Sequence, residues 1–145
     1  VAEHLLERGC RRIAFLGDAS SHYPEFFGRY RGYVQALEQA GIAVDPDLQQ
    51  NAESTEHSGY EAMRGLILNE TGFDAVFAAS DLIAIGAMRA LSDHGLRVPQ
   101  DVITLMFVGL MDDSLILRSS MSSSLYRSAS LISSYQPYVS DRTTP

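Results

Sequence analysis

One cysteine, Cys10, is present in 145 residues. That excludes an internal disulfide and any CxxC metal or redox motif, and it points to a reducing cytoplasm, with Cys10 read as a buried structural thiol. Long apolar runs are missing as well. No stretch approaches the ~20 residues of a membrane span, and the chain opens without a basic, apolar signal peptide. A soluble protein with no membrane partner is expected. Basic residues are scarce: 11 Lys and Arg against 18 Asp and Glu give a net charge of −7. Binding to a phosphate backbone needs a local excess of cations, so this chain by itself is a poor nucleic-acid binder. Catalytic signatures are also lacking. His4, His22, His57 and His94 stand far apart without HExxH or other metal-ligand spacing, and no GxSxG elbow, Walker loop or GxGxxG fingerprint occurs. Asp and Glu are abundant but scattered, so no general acid/base pair stands out. No metal, no cofactor and no enzymatic activity are expected.

What the chain does contain is 46% hydrophobic residues, enough to bury one core. "VAEHLLERGC" places Val1, Leu5 and Leu6 on a helical face, with Gly9 as its stop. Arg11 and Arg12 lead into "IAFLG", an apolar run that suits a strand covered on both faces of a parallel sheet. After the polar loop "SSHYPEFFG", residues 29–40 set Tyr30, Tyr33, Val34 and Leu37 on one stripe, and Gly41 ends the helix. A short strand is expected around Leu48. Residues 57–69 give a third amphipathic helix through Tyr60, Met63, Leu66 and Ile67. "FDAVFAAS" reads as the next strand, "LIAIGAMRALSDHG" as a helix with Leu82, Ile85, Met88 and Leu91 on its stripe, and "ITLMFVG" as a further strand. Strand and helix alternate, which predicts an α/β doubly wound parallel sheet. Residues 111–145 differ in kind: 11 of these 35 are Ser, and no helical or strand period persists.

In a doubly wound sheet, ligands bind beyond the carboxyl ends of the strands, where loops converge and helix N-termini present free N–H groups. Two places meet that condition. The loop after "IAFLG" leads into "GRYRGY" and is expected to put Arg29 at the opening of its helix, where a guanidinium fork can bind two vicinal hydroxyls or a carboxylate, or else sit on the surface in a salt bridge. The second place is Ser80-Asp81, where strand passes into helix. Both residue types are favoured helix N-caps, so each residue either caps the helix or contacts a ligand.

"VAEHLLERGCRRIAFLG", "GRYRGYVQALEQAGIAVDPDL", "SGYEAM" and "FDAVFAASDLIAIGAMRALSDHGLRVPQDV", in this order and spacing, resemble the effector-binding domain of the lactose/galactose-repressor (LacI/GalR) family of bacterial transcription regulators. The resemblance covers residues 1 to about 103. It implies an incomplete periplasmic-binding-protein-like fold, with residues 1–110 a partial effector-binding domain, mostly its C-terminal subdomain, and 111–145 an atypical Ser-rich tail, altered or truncated against the family pattern. The implied partner is a small-molecule effector such as a sugar. Operator DNA would be bound only through an N-terminal helix-turn-helix absent from this chain, by a cytoplasmic homodimer. A periplasmic sugar-binding protein of a transport system is the alternative on the same fold.

Position by position, the "RxxGY" element places the family's ligand-gripping Arg at Arg29. The polar residue before the helix falls at Ser80, which the resemblance turns toward the effector, and Asp81 matches the family's adjoining acid, supporting the helix start or the site wall. Five residues before the Gly of "SGYEAM", where relatives stack a ring on the effector, stands Ser54. In "FVGLMDD" the nearest counterpart of the family's hydroxyl-binding Asp is Asp112, one residue out of register.

Overall fold

A computed structural model of the chain describes residues 2–98 and 100–106. Among them, helix α1 (Ala2–Glu7) precedes strand β1 (Ile13–Leu16). Helix α2 (Pro24–Gln39) leads through a 3₁₀ turn at Pro46–Leu48 to strand β2 (Gln49–Gln50). Helix α3 (Glu56–Leu68), strand β3 (Ala75–Ala78), helix α4 (Asp81–Asp93) and strand β4 (Ile103–Met106) follow. The strands form one parallel sheet in the order β2-β1-β3-β4. The expected α/β fold with a parallel open sheet is therefore present. Asp112 and the Ser-rich segment 111–145 lie outside the described residues.

Every residue of β1 and β3 is buried, which is why "IAFL" and "AVFA" run apolar without alternation. Phe15 pairs in register with Phe77, so both rings share one face. There Phe15 meets Tyr30 and Tyr33 from α2, each at 5.3 Å between ring centroids, and Phe77 stacks on Tyr33. Tyr33 is buried, and its hydroxyl donates to the Ile13 carbonyl at 2.9 Å, so its polar tip is satisfied. Helices α3 and α4 pack against the sheet and closely against each other.

That second layer corrects the stripe expected for α4. The residues it buries are Ile83, Ala84, Gly86, Ala87, Ala90 and Leu91, while Leu82, Ile85 and Met88 are only half-buried. The reason is the close crossing of the two helices. A Cβ added to Gly86 would run into the Glu56 carbonyl oxygen and lie 2.6 Å from the Tyr60 nitrogen, and one added to Gly59 would run into the backbone of Ile83. Small residues face the partner helix because larger ones do not fit.

Gly9 and Gly41 have φ of 89° and 71°, the left-handed conformation expected of the residues that stop α1 and α2. Helix α2 starts earlier than its apolar stripe suggests. Pro24 occupies its first turn, where a missing N–H is harmless and the fixed φ is already helical. Cys10 is buried, as expected, and its burial pushes the thiol pKa up. At the amino ends of the strands, the Asp74 carboxylate accepts from the backbone N–H groups of Arg11 and Arg12 at 2.7 and 3.0 Å, pinning the entry of β1 beside β3.

Candidate functional site

Three chain crossings meet at the carboxyl ends of β1, β2 and β3. From β1 the chain passes into the loop that opens α2, from β2 into Ser54 and the start of α3, and from β3 directly into α4. Gly17 is buried here, and a side chain on it would press on Ala79 and Phe15, so β1 and β3 leave the sheet nearly touching.

Ser80 caps α4: its Oγ accepts from the Ile83 backbone N–H at 3.3 Å. Ser54 donates from its own hydroxyl to the same Ser80 Oγ at 3.0 Å. Ser80 is thereby 92% enclosed, at 8% relative exposure, whereas Ser54 and Asp81 are exposed. Asp81 accepts at Oδ1 from the neighbouring Leu82 N–H at 3.0 Å. Of the two candidate caps, Ser80 is the one that caps α4, while Asp81 accepts within the first turn beside it. Thr55 does the same for α3, accepting from Ser58 N–H at 3.1 Å, so two helix N-termini adjoin the Ser54–Ser80 pair. Loss of the α4 cap through Ser80→Ala is expected to lower stability by about 1 kcal/mol in urea denaturation. An unchanged midpoint would show that the cap contributes nothing.

Arg29 does not open its helix. It stands in the second turn of α2, six residues after Tyr23, because the helix begins at Pro24. From there its guanidinium donates to the carbonyl of Ala79, the residue preceding Ser80, and lies over the Phe26 ring at 5.4 Å. The structure thus brings Arg29, Ser80 and Ser54 to one place. Phe26 lies under the Arg29 guanidinium and Tyr23 packs edge-on against Phe26; in the sequence both fall within a segment read as loop. Pro24 was the available signal, since it marks a helix start.

The same loop holds Asp18, whose carboxylate accepts from the Ser20 backbone N–H at 2.7 Å. The Ser20 hydroxyl, and after it that N–H, hold the Asp18 pKa below the usual carboxylate range. The turn's contribution to stability is therefore complete above the ordinary Asp pKa and is lost as pH falls through the lowered one. A carbon-detected NMR titration is expected to show Asp18 below about 3.9 and to move it up toward that value in Ser20→Ala, which removes the hydroxyl but keeps the backbone N–H. A wild-type midpoint at the ordinary value would contradict the turn geometry.

A cleft of 580 Å³ opens beside Arg29, lined by Pro24, Glu25, Gly28, Tyr33, Ala36 and Phe77 among others, between α1 and α2. Arg29 borders it, but Ser54, Ser80 and Asp81 do not. Among the described residues no group of three or more His, Cys, Asp or Glu side chains is placed to hold a metal ion, and no helix is long and apolar enough to cross a membrane.

Residues 2–129 match the family model of the periplasmic binding protein-like domain. The chain is 37% identical over 103 residues to the HTH-type transcriptional regulator RegA of Clostridium saccharobutylicum, covering 71% of this chain and 31% of that protein. It superposes with TM-score 0.70 and 37% identity on a sugar-binding LacI-family transcriptional regulator from Escherichia coli complexed with phosphate, covering 75% of this chain and 39% of the other. It superposes with TM-score 0.67 and 40% identity on the transcriptional regulator CelR in a cellobiose complex, covering 71% and 31%. The chain spans about a third of the length of curated relatives such as RegA. By its family match, its fold and these relatives, the chain belongs to the periplasmic binding protein-like domain family, as an effector-binding domain of the LacI/GalR type.

Proposed function

We propose that this chain is the effector-sensing part of a bacterial transcriptional regulator, and that its effector is a sugar held at the Arg29–Ser80 site. One observation carries the reading: Arg29 reaches across from α2 to the carbonyl beside Ser80, converging with Ser54 at the carboxyl ends of parallel strands. That is where open α/β sheets bind ligands. Arg29 supplies charge-assisted donors for hydroxyls, and the Ser54–Ser80 pair supplies a second polar contact from the α3 and α4 side. Asp81 supports the wall, and Asp112 is proposed as a further hydroxyl ligand.

Residues 1–110 then form a partial effector domain, mostly its C-terminal subdomain, with 111–145 an atypical Ser-rich tail. The effector favours one closure state of the domain, and that state changes the geometry of a homodimer on its operator DNA. DNA contact lies with a helix-turn-helix beyond this chain, in keeping with its net charge of −7. The relatives are transcriptional regulators, and we assign this protein no enzymatic role and a cytoplasmic location.

The test is a thermal-shift screen of the whole protein against mono- and disaccharides. A true effector at 100 times its Kd stabilises by about 2.7 kcal/mol and raises the Tm accordingly. The same sugar is expected to change operator affinity. A protein stabilised by no sugar, with operator binding indifferent to all of them, would overturn the reading.

A further inference from the structure

We propose that the cleft between α1 and α2 is the docking site of this chain's own segment 114–129, which follows β4. The assignment does not depend on the identity of the effector. The cleft opens to 580 Å³, with Tyr33 and Phe77 at its floor and two exposed acids, Glu3 on α1 and Glu25 on α2, among its lining residues. It is open because α2 presents no side chain at Gly28 and Gly32, one turn apart on the side facing it; a Cβ built on either meets nothing within 4 Å. Gly59 and Gly86 differ, since the space beside each is already filled by the backbone of a neighbouring helix.

The occupant follows from where the chain leaves the sheet. Met106 ends β4 in register with Ala78, the residue after Phe77 on the adjacent strand. Residues 107–145 continue from that point, and the stretch from Met106 to Ser114 can reach up to about 28 Å, enough to pass from one strand to the helix layer over its neighbour. The family match extends to residue 129, well past β4, so this stretch belongs to the same domain. Charge is complementary as well. Residues 1–106 contain 8 Arg against 15 Asp and Glu, whereas 114–129, "SLILRSSMSSSLYRSA", carries Arg118 and Arg127 and no acid. Leu115, Ile116 and Leu117 supply an apolar run for the floor, and the two Arg answer Glu3 and Glu25 at the edges.

Limited trypsin digestion of the whole protein, read by mass spectrometry, tests the assignment. The sequence contains no Lys, so residues 107–145 offer cleavage only after Arg118, Arg127 and Arg142. Cutting of such a segment tracks the population of its released form when release is fast. Arg118 and Arg127 are expected to be cut about tenfold more slowly in the wild type than in Gly28→Leu/Gly32→Leu, which fills the cleft while replacing poor helix formers with good ones. Arg142, outside the segment, is cut equally fast in both. Glu3→Gln/Glu25→Gln is expected to speed cutting at Arg118 and Arg127 by up to about fivefold, the scale of exposed ion pairs, and the difference disappears in about 1 M salt. Far-UV circular dichroism checks folding, and the Glu pair decides the matter if the filled variant does not fold. Equal cutting at Arg118 and Arg127 in the wild type and the variants would overturn the docking. So would protection that grows with protein concentration, because a second copy of the chain would then occupy the cleft.

Discussion

Gly86→Ala is expected to destabilise the domain by about 3 kcal/mol, and Gly86→Val to leave little folded protein. Overpacking a close contact typically costs 1–3 kcal/mol, about the upper end of which applies where the obstacle cannot rotate away. Here the added methyl meets backbone, the Glu56 carbonyl and the Tyr60 nitrogen, and not the flexible end of a side chain. Helix α3 must then move as a body. Against a total stability of about 5–15 kcal/mol, that is a large fraction. The consequence reaches the site, because α3 and α4 carry Ser54 and Ser80 at their starts, and spreading the helices parts the 3.0 Å hydrogen bond between them. Chemical denaturation of Gly86→Ala and of the equivalent Gly59→Ala measures the effect. An unchanged midpoint in both would contradict the close crossing.

Arg29→Ala is expected to weaken sugar binding by about 1.5–3 kcal/mol, a tenfold loss or more, the usual worth of a charged hydrogen bond. The residue is half-buried and already ordered by the Ala79 carbonyl and the Phe26 ring. A ligand that meets a preset guanidinium loses less entropy on binding than one that must order a free chain. Arg29→Lys keeps the charge but not the planar fork, so it is expected to recover only part of the affinity. Calorimetry on both variants, with their melting temperatures as a folding control, separates lost contact from lost structure. Equal affinity in wild type and Arg29→Ala would remove Arg29 from the site.

The layout of the sheet was legible because burial on both faces leaves no room for polar residues, and "IAFL" and "AVFA" say so directly. The short β2 was also placed near Leu48, though the strand itself is Gln49–Gln50 and Leu48 ends the preceding 3₁₀ turn. Helix boundaries were less legible. Apolar spacing detects the part of α2 that packs on Phe15 and Phe77, but its first turn packs little, so only Pro24 betrays it. In α4 the large apolar residues carry the visible periodicity, while the tight face is made of Gly and Ala, whose role depends on a partner helix far away in sequence.

The site divided along the same line. Ser80 is visible from its position at a strand-to-helix passage, and Arg29 from the "RxxGY" element of the family resemblance, although the helix it was expected to open begins five residues earlier. The Ser54–Ser80 bond joins residues 26 apart and the Arg29–Ala79 bond residues 50 apart, and no local pattern announces either. Tyr23 and Phe26 were hidden inside a segment whose Ser, His and Pro content reads as loop.

The central claim is that a sugar binds at the carboxyl ends of the strands beside Arg29 and Ser80. Hydrogen–deuterium exchange of the whole protein, with and without the most stabilising sugar, tests it most directly. The account predicts new protection in the loop and first turns of α2, around residues 23–30, and at the starts of α3 and α4, around Ser54 and residues 79–83. Protection confined instead to the opposite end of the sheet, in the 400 Å³ cleft lined by Arg11, Arg12, Val44 and Asp45, would contradict it.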